Sequence, residues 1–252
     1  MKNSLGWLKW SGAVLISLVL AFFFVRLGIW QLNRLEQRRG ENARISRNYE
    51  GTTLELNVGF EAIDATQDEF RPVSLIGEYW TEEQFVLRNQ SLNGELGFHL
   101  IAPLKLAGSD EWLLVNRGFI PIEDNHPDTW DKYALEGGVQ VSGIVRQSQP
   151  EPDFGQEALR DERGRQYMWL NIDIPQIEAE LGLDLLDYYL QASPNGVSSE
   201  FPIPLEFTFS LDEGNHLSYA LQWFSFAVLS ALSMPIVWWR RRKKNSQALS
   251  SA

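Results

Sequence analysis

The chain has 252 residues, a formal net charge of −11 and no cysteine. The missing thiols exclude a disulfide framework, a thiolate metal site, a cysteine nucleophile and covalent c-type haem attachment. Between Arg34 and Glu213 lie all 33 acidic residues and 14 of the basic ones, a balance of −19 that repels nucleic acid and anionic lipid headgroups.

In chain order, Lys2 and Lys9 precede an apolar segment that is uncharged from Trp10 to Val25 and reaches a full span, 10–32, when Arg26 is included. Phe22, Phe23 and Phe24 stand where a cleaved signal peptide would carry small residues, so the segment is expected to remain as an anchor. Trp7, Trp10 and Trp30 suit interfacial positions. Arg26, Trp30 and Arg34 share one side at i, i+4, i+8. Arg26 reads either as a snorkelling side chain or as the partner of an acidic group such as a propionate. Asn33 to Asn48 is expected to prolong the span as a polar helix interrupted near Gly40.

The region 33–215 then reads as one mainly-β domain. Strands are expected at Thr52–Val58, Arg71–Trp80, Glu83–Asn89, Phe98–Leu106, Trp112–Ile120, Val139–Arg146, Tyr167–Ile172, Tyr188–Ala192 and Leu205–Ser210. A helix is expected at Pro175–Leu181, capped by Asp173 and ended by Gly182, with a weaker helical piece at Thr129–Leu135. Gln149 to Arg165 reads as an exposed loop. About eight strands with one or two short helices imply an antiparallel barrel or sandwich.

Leu217 to Trp239 runs 23 residues without a charge and ends at Arg240, Arg241, Arg242, Lys243 and Lys244. At 1.5 Å per residue it spans roughly 34 Å, enough for a bilayer core. Residues 216–239 therefore form a second membrane helix and 240–252 a basic tail. The five basic residues place the C-terminus in the cytoplasm, and two spans place residues 1–9 there too. Arg34, Arg38, Arg39, Arg44 and Arg47 argue the other way, but Glu36 and Glu41 dilute them and the second span decides. The expected product is a two-span protein of a bacterial inner membrane with a periplasmic domain.

No arrangement typical of catalysis emerges: there is no phosphate loop, no nucleophile elbow and no HExxH. His99 falls inside an expected strand, where a structural imidazole is the simpler reading. His126 lies in an Asp-rich turn. His216 opens the second span and shares a helix face with Tyr219, Ala220 and Trp223. An imidazole above a small residue and beside two aromatics can serve as an axial ligand and wall for a porphyrin, or as an ordinary interfacial histidine. Ala227 and Ala231 offer a small-residue contact to helices of a partner protein.

Several motifs, in order, resemble those of the surfeit locus protein 1 family. They are LGIWQLNRLEQR (27–38), GEYW (77–80), LLVNRGFIP (113–121), GIVR (143–146), YYLQA (188–192) and NHLSYALQWFSFA (215–227). The resemblance covers essentially the whole chain; only Asp153 to Arg165 looks like an insertion. It implies an assembly factor for haem-copper cytochrome c oxidase, not an enzyme. Such a factor receives haem a, meets oxidase subunits and the haem a biosynthetic enzyme, and contacts haem iron through the matched His216. Carried over with it as a binding surface are Tyr219, Trp223, Trp30 and Arg26. Asn116, Arg117 and Gly118 of the central motif are expected to be structural. The alternative is a scaffold that holds an oxidase intermediate without binding haem.

Overall fold

The computed structural model describes residues 2–135, 137–150, 158–194, 201–207 and 211–250. They divide into two units, one of residues 1–43 with 210–252 and one of 44–209.

The first unit is built on two helices, α1 (Lys2–Tyr49), whose last residues belong to the second unit, and α4 (His216–Ser250). Both carry stretches long and apolar enough to cross a membrane. Helix α1 runs through Gly40 without the expected interruption. One glycine costs a helix only about 1 kcal/mol relative to alanine, too little to break a helix this long. Side-chain pairs such as Arg34 to Gln37 and Arg38 to Glu41 line the polar stretch. The helices pack antiparallel: Ser17 meets Ser230 and Ser233, Phe24 meets Trp223, and Gln31 meets His216.

The second unit is a mainly-β domain with a closed barrel. Its strands are β1 (Leu54–Glu55), β2 (Pro72–Tyr79), β3 (Phe85–Leu92), β4 (Glu95–Leu106), β5 (Trp112–Pro121), β6 (Gly138–Gln147), β7 (Leu159–Arg160), β8 (Gln166–Trp169) and β9 (Leu185–Ala192). The order β2-β6-β9-β5-β4 returns to β2, which pairs with β4 at Gly77–Tyr79 and closes the ring. The expected antiparallel barrel is present, with one parallel seam between β5 and β9. Strand β3 continues the sheet from β4 and carries β8 and β7 beyond it.

Alternation along these strands fills the barrel with Val73, Leu75, Leu104, Leu113, Val115, Val145 and Leu190, all at most 1% exposed. Outside the barrel, Phe85, Ile101, Leu114 and Trp169 pack against Ile174 and Ile177 of α3 (Ile174–Leu181). The caps of α3 are as expected: Asp173 accepts from the Gln176 N–H, and Gly182 ends the helix at φ 66°. The weaker piece at 129–135 resolves into two 3₁₀ turns, Pro127–Thr129 and Asp131–Tyr133.

Two expected strands are corrected. Thr52–Val58 yields only β1 before a helical turn, α2 (Leu56–Gly59). There the Asn57 side chain replaces backbone pairing. Its amide nitrogen donates to the carbonyls of Ile76 (2.7 Å) and Ala107 (3.0 Å), and its oxygen accepts from the Ile76 N–H (2.6 Å). It thus fills the edge of β2 between β1 and β4. Residues 205–207 form no strand; Ile203 bridges Phe119 instead, and 208–210 lie outside the described residues. Gly118, at φ 125°, lets β5 approach the Ile203 carbonyl where a Cβ would collide. Of the loop 149–165, residues 151–157 are outside the described part, and Leu159–Arg160 forms β7.

Candidate functional site

On α1 the residues Ser17, Phe24, Gly28, Gln31 and Leu35, at successive steps of seven, four, three and four, make a seam toward α4. Across it stand His216, Ala220, Trp223, Phe224 and Ala227 of α4. Ala220 and Ala227, one heptad apart, are buried, whereas Ala231 is exposed and open to a contact outside the chain. The Phe224 ring occupies the space where a Cβ on Gly28 would sit. The Ser17 hydroxyl donates to the Ser230 carbonyl and lies 3.1 Å from the Ser233 hydroxyl, a polar clasp in an apolar stretch.

His216 is half-buried at the head of α4, and its Nδ1 lies 2.8 Å from Gln31 Oε1. With the Gln31 oxygen on this side Nδ1 is the donor, and a neutral ring then has its lone pair at Nε2. Gly214 comes close to this nitrogen. A Cβ there would stand 3.6 Å from Nε2, and glycine leaves that edge of the ring uncovered. Gly214 sits at φ 69°, in a turn whose N–H is held by Asp212 Oδ1 at 2.9 Å. Next to it, Arg39 and Glu213 form a two-pronged pair, Nε to Oε1 and Nη2 to Oε2, both 2.8 Å. Hydrogen bonding to Arg39 holds the Glu213 carboxyl below its usual range.

Of the residues singled out in the sequence, His216 and Tyr219 share the exposed shoulder of the seam, with Tyr219 48% exposed. Trp223 is turned into the helix interface, stacked on Phe24 at 5.7 Å and 19°, with Phe226 edge-on at 5.9 Å. Arg26 and Trp30 are exposed and, two residues on from the seam positions Phe24 and Gly28, lie on the opposite side of α1. The structure does not bring them to His216. Gln31, Gly214 and Phe24 were missed. Gln31 stands beside Trp30 in the motif LGIWQLNRLEQR, but only the antiparallel register reveals its partner.

The other histidines have separate settings. His99 on β4 is largely buried beside Asn116 Nδ2 at 3.4 Å, and burial lowers its pKa to about 4. His126 is half-buried, and its Nδ1 lies 3.1 Å from Asp128 Oδ2. Among the described residues no three His, Asp or Glu side chains cluster to hold a metal ion.

Comparison with known proteins gives the same picture over nearly the whole chain. A family model described as "SURF1 family" matches residues 18–228. A SURF1-like protein of Caenorhabditis elegans is 26% identical over 92% of this chain and 75% of its own. An uncharacterised SURF1-like protein of Mycobacterium tuberculosis is 27% identical, covering 91% and 82%. A SURF1-like protein of Rickettsia felis is 25% identical, covering 85% and 91%. With the match running from within the first apolar helix, through the barrel, into the second, the chain belongs to the SURF1 family, a family of oxidase assembly factors.

Proposed function

We propose that this protein serves the assembly of haem-copper cytochrome c oxidase by holding haem a at the outer face of a bacterial inner membrane and delivering it to the catalytic subunit. The observation that carries the reading is the His216–Gln31 hydrogen bond, which supports Nδ1 as donor and Nε2 as the nitrogen open to a ligand. A haem bound there would supply the iron and macrocycle that the oxidase requires. The chain's own part is to hold and orient: Gln31 fixes the imidazole tautomer, Gly214 keeps Nε2 approachable, and Tyr219 offers an exposed ring beside it. Trp223 acts from below by fixing α4 against Phe24. Arg26 and Trp30, facing away, suit contact with lipid or an oxidase subunit.

The test is to express the protein with the haem a biosynthetic enzymes and compare wild type with His216→Ala. The variant is expected to insert normally, to carry less haem or show shifted bands, and to yield oxidase with less haem a per enzyme. Unchanged haem, spectrum and oxidase would instead favour a scaffold without haem, a reading to which the commitment of Trp223 to helix packing lends weight.

A further inference from the structure

The barrel opens at the C-terminal ends of β2 and β9 into a cavity of about 340 Å³ walled by Tyr79, Arg117, Leu135, Val139 and Pro204. Arg117 is only 6% exposed. Its Nη1 donates to Gln84 Oε1 at 3.3 Å and its Nη2 to the Tyr133 carbonyl at 2.6 Å, and the guanidinium lies 4.8 Å above the Tyr79 ring. Every one of these partners is neutral. The buried acids of the domain are provided for differently: Asp124 has Lys132 and the Tyr133 hydroxyl, and Asp173 caps α3. Among the described residues no carboxylate pairs with Arg117, and none lines the cavity. A buried charge without a counter-ion is costly, and burial holds this guanidinium below its ordinary pKa.

We propose that the mouth of the barrel binds a carboxylate bearing a small apolar group, with Arg117 as its counter-ion. A guanidinium has five N–H donors in a planar fork, and two are used here by Gln84 and Tyr133. The remaining donors match the two oxygens of a carboxylate. One positive charge balances one carboxylate, whereas a phosphate dianion would add uncompensated charge to a region that already carries −19. Leu135, Val139 and Pro204 supply the apolar wall that the rest of the ligand would meet. A free short-chain acid and the C-terminal residue of a partner polypeptide share this chemistry.

The experiment titrates the full-length protein, in micelles of an uncharged detergent at fixed ionic strength, with butanoate, butanamide, inorganic phosphate and N-acetylvaline. Butanoate is expected to bind about tenfold or more tighter than its neutral isostere, since charge-assisted pairs are the strong ones. N-acetylvaline binding tighter than butanoate assigns the site to a chain terminus, and the reverse order to a free acid. Arg117→Gln is expected to abolish the preference for butanoate, with thermal unfolding reporting whether it still folds. Leu135→Asp is the second variant: Leu135 is 47% exposed, and the new carboxylate should occupy Arg117 and displace butanoate. Equal binding of butanoate and butanamide, tighter binding of phosphate, or unaltered butanoate affinity in Leu135→Asp overturns the proposal.

Discussion

Gln31 accepts a hydrogen bond from His216 Nδ1 at 2.8 Å, joining two residues 185 positions apart in the chain. Outer-shell partners of a ligating histidine typically change metal affinity 10- to 100-fold. Gln31→Leu frees the tautomer and is expected to weaken haem binding by about tenfold. Gln31→Glu keeps an acceptor, adds charge to it, and should retain haem with shifted bands. Spectral titration of the purified variants checks both, and equal affinity in Gln31→Leu would remove Nε2 ligation from consideration.

Asn57 closes the gap on the edge of β2 with three hydrogen bonds. Asn57→Leu leaves the Ile76 N–H and two carbonyls without those partners. A destabilisation of about 2 kcal/mol is expected, because the site is open enough for water to replace part of the loss. Denaturant unfolding followed by tryptophan fluorescence measures it, and Asn57→Asp should recover only the bond to the Ile76 N–H.

His99 carries a pH dependence of definite sign. Its pKa falls from 6.5 to about 4 on folding because burial disfavours the charged ring. Between those values the unfolded chain holds a proton that the folded chain does not, so stability rises with pH and is lost on acidification. The contribution is roughly 2 kcal/mol between pH 6.5 and pH 4.5. His99→Gln should show a shallower loss over that interval by about this amount. Parallel unfolding curves at the two pH values decide it.

The orientation is testable because the chain lacks cysteine. Glu95→Cys, exposed beside the turn between β3 and β4, should react with a membrane-impermeant maleimide on spheroplasts. Ala252→Cys should react only after the membrane is broken. Labelling in the opposite order would reverse the proposed topology.

Much of the fold was legible because its determinants are local. Alternation defined β2, a continuous apolar run β5, flanking turn residues β4 and β6, and Asp173 with Gly182 bracketed α3. The failures occur where a distant partner decides. Leu54 to Val58 alternates well enough for a strand, but the Asn57 amide does the pairing and the backbone is free to coil. Leu205 to Phe207 has strand-like residues, yet the edge of β5 is met at Ile203 instead. At the site, the face of His216 and Tyr219 could be read from helical spacing. The inward turn of Trp223 and the partnership of Gln31 depend on how α1 and α4 align, which spacing within either helix does not contain.

The parallel pairing of β9 with β5 sets a schedule for making the protein. Strand β9 lies between β6 and β5 and is the last barrel strand to be synthesised. Until residue 192 has been synthesised, β5 and β6 each present an unpaired edge, the kind of surface on which chains aggregate. Only 23 residues then separate the end of β9 from the start of α4. Completion of the barrel and synthesis of the second apolar helix therefore fall in the same short interval, and a chain stalled before β9 has its first apolar helix but no finished domain.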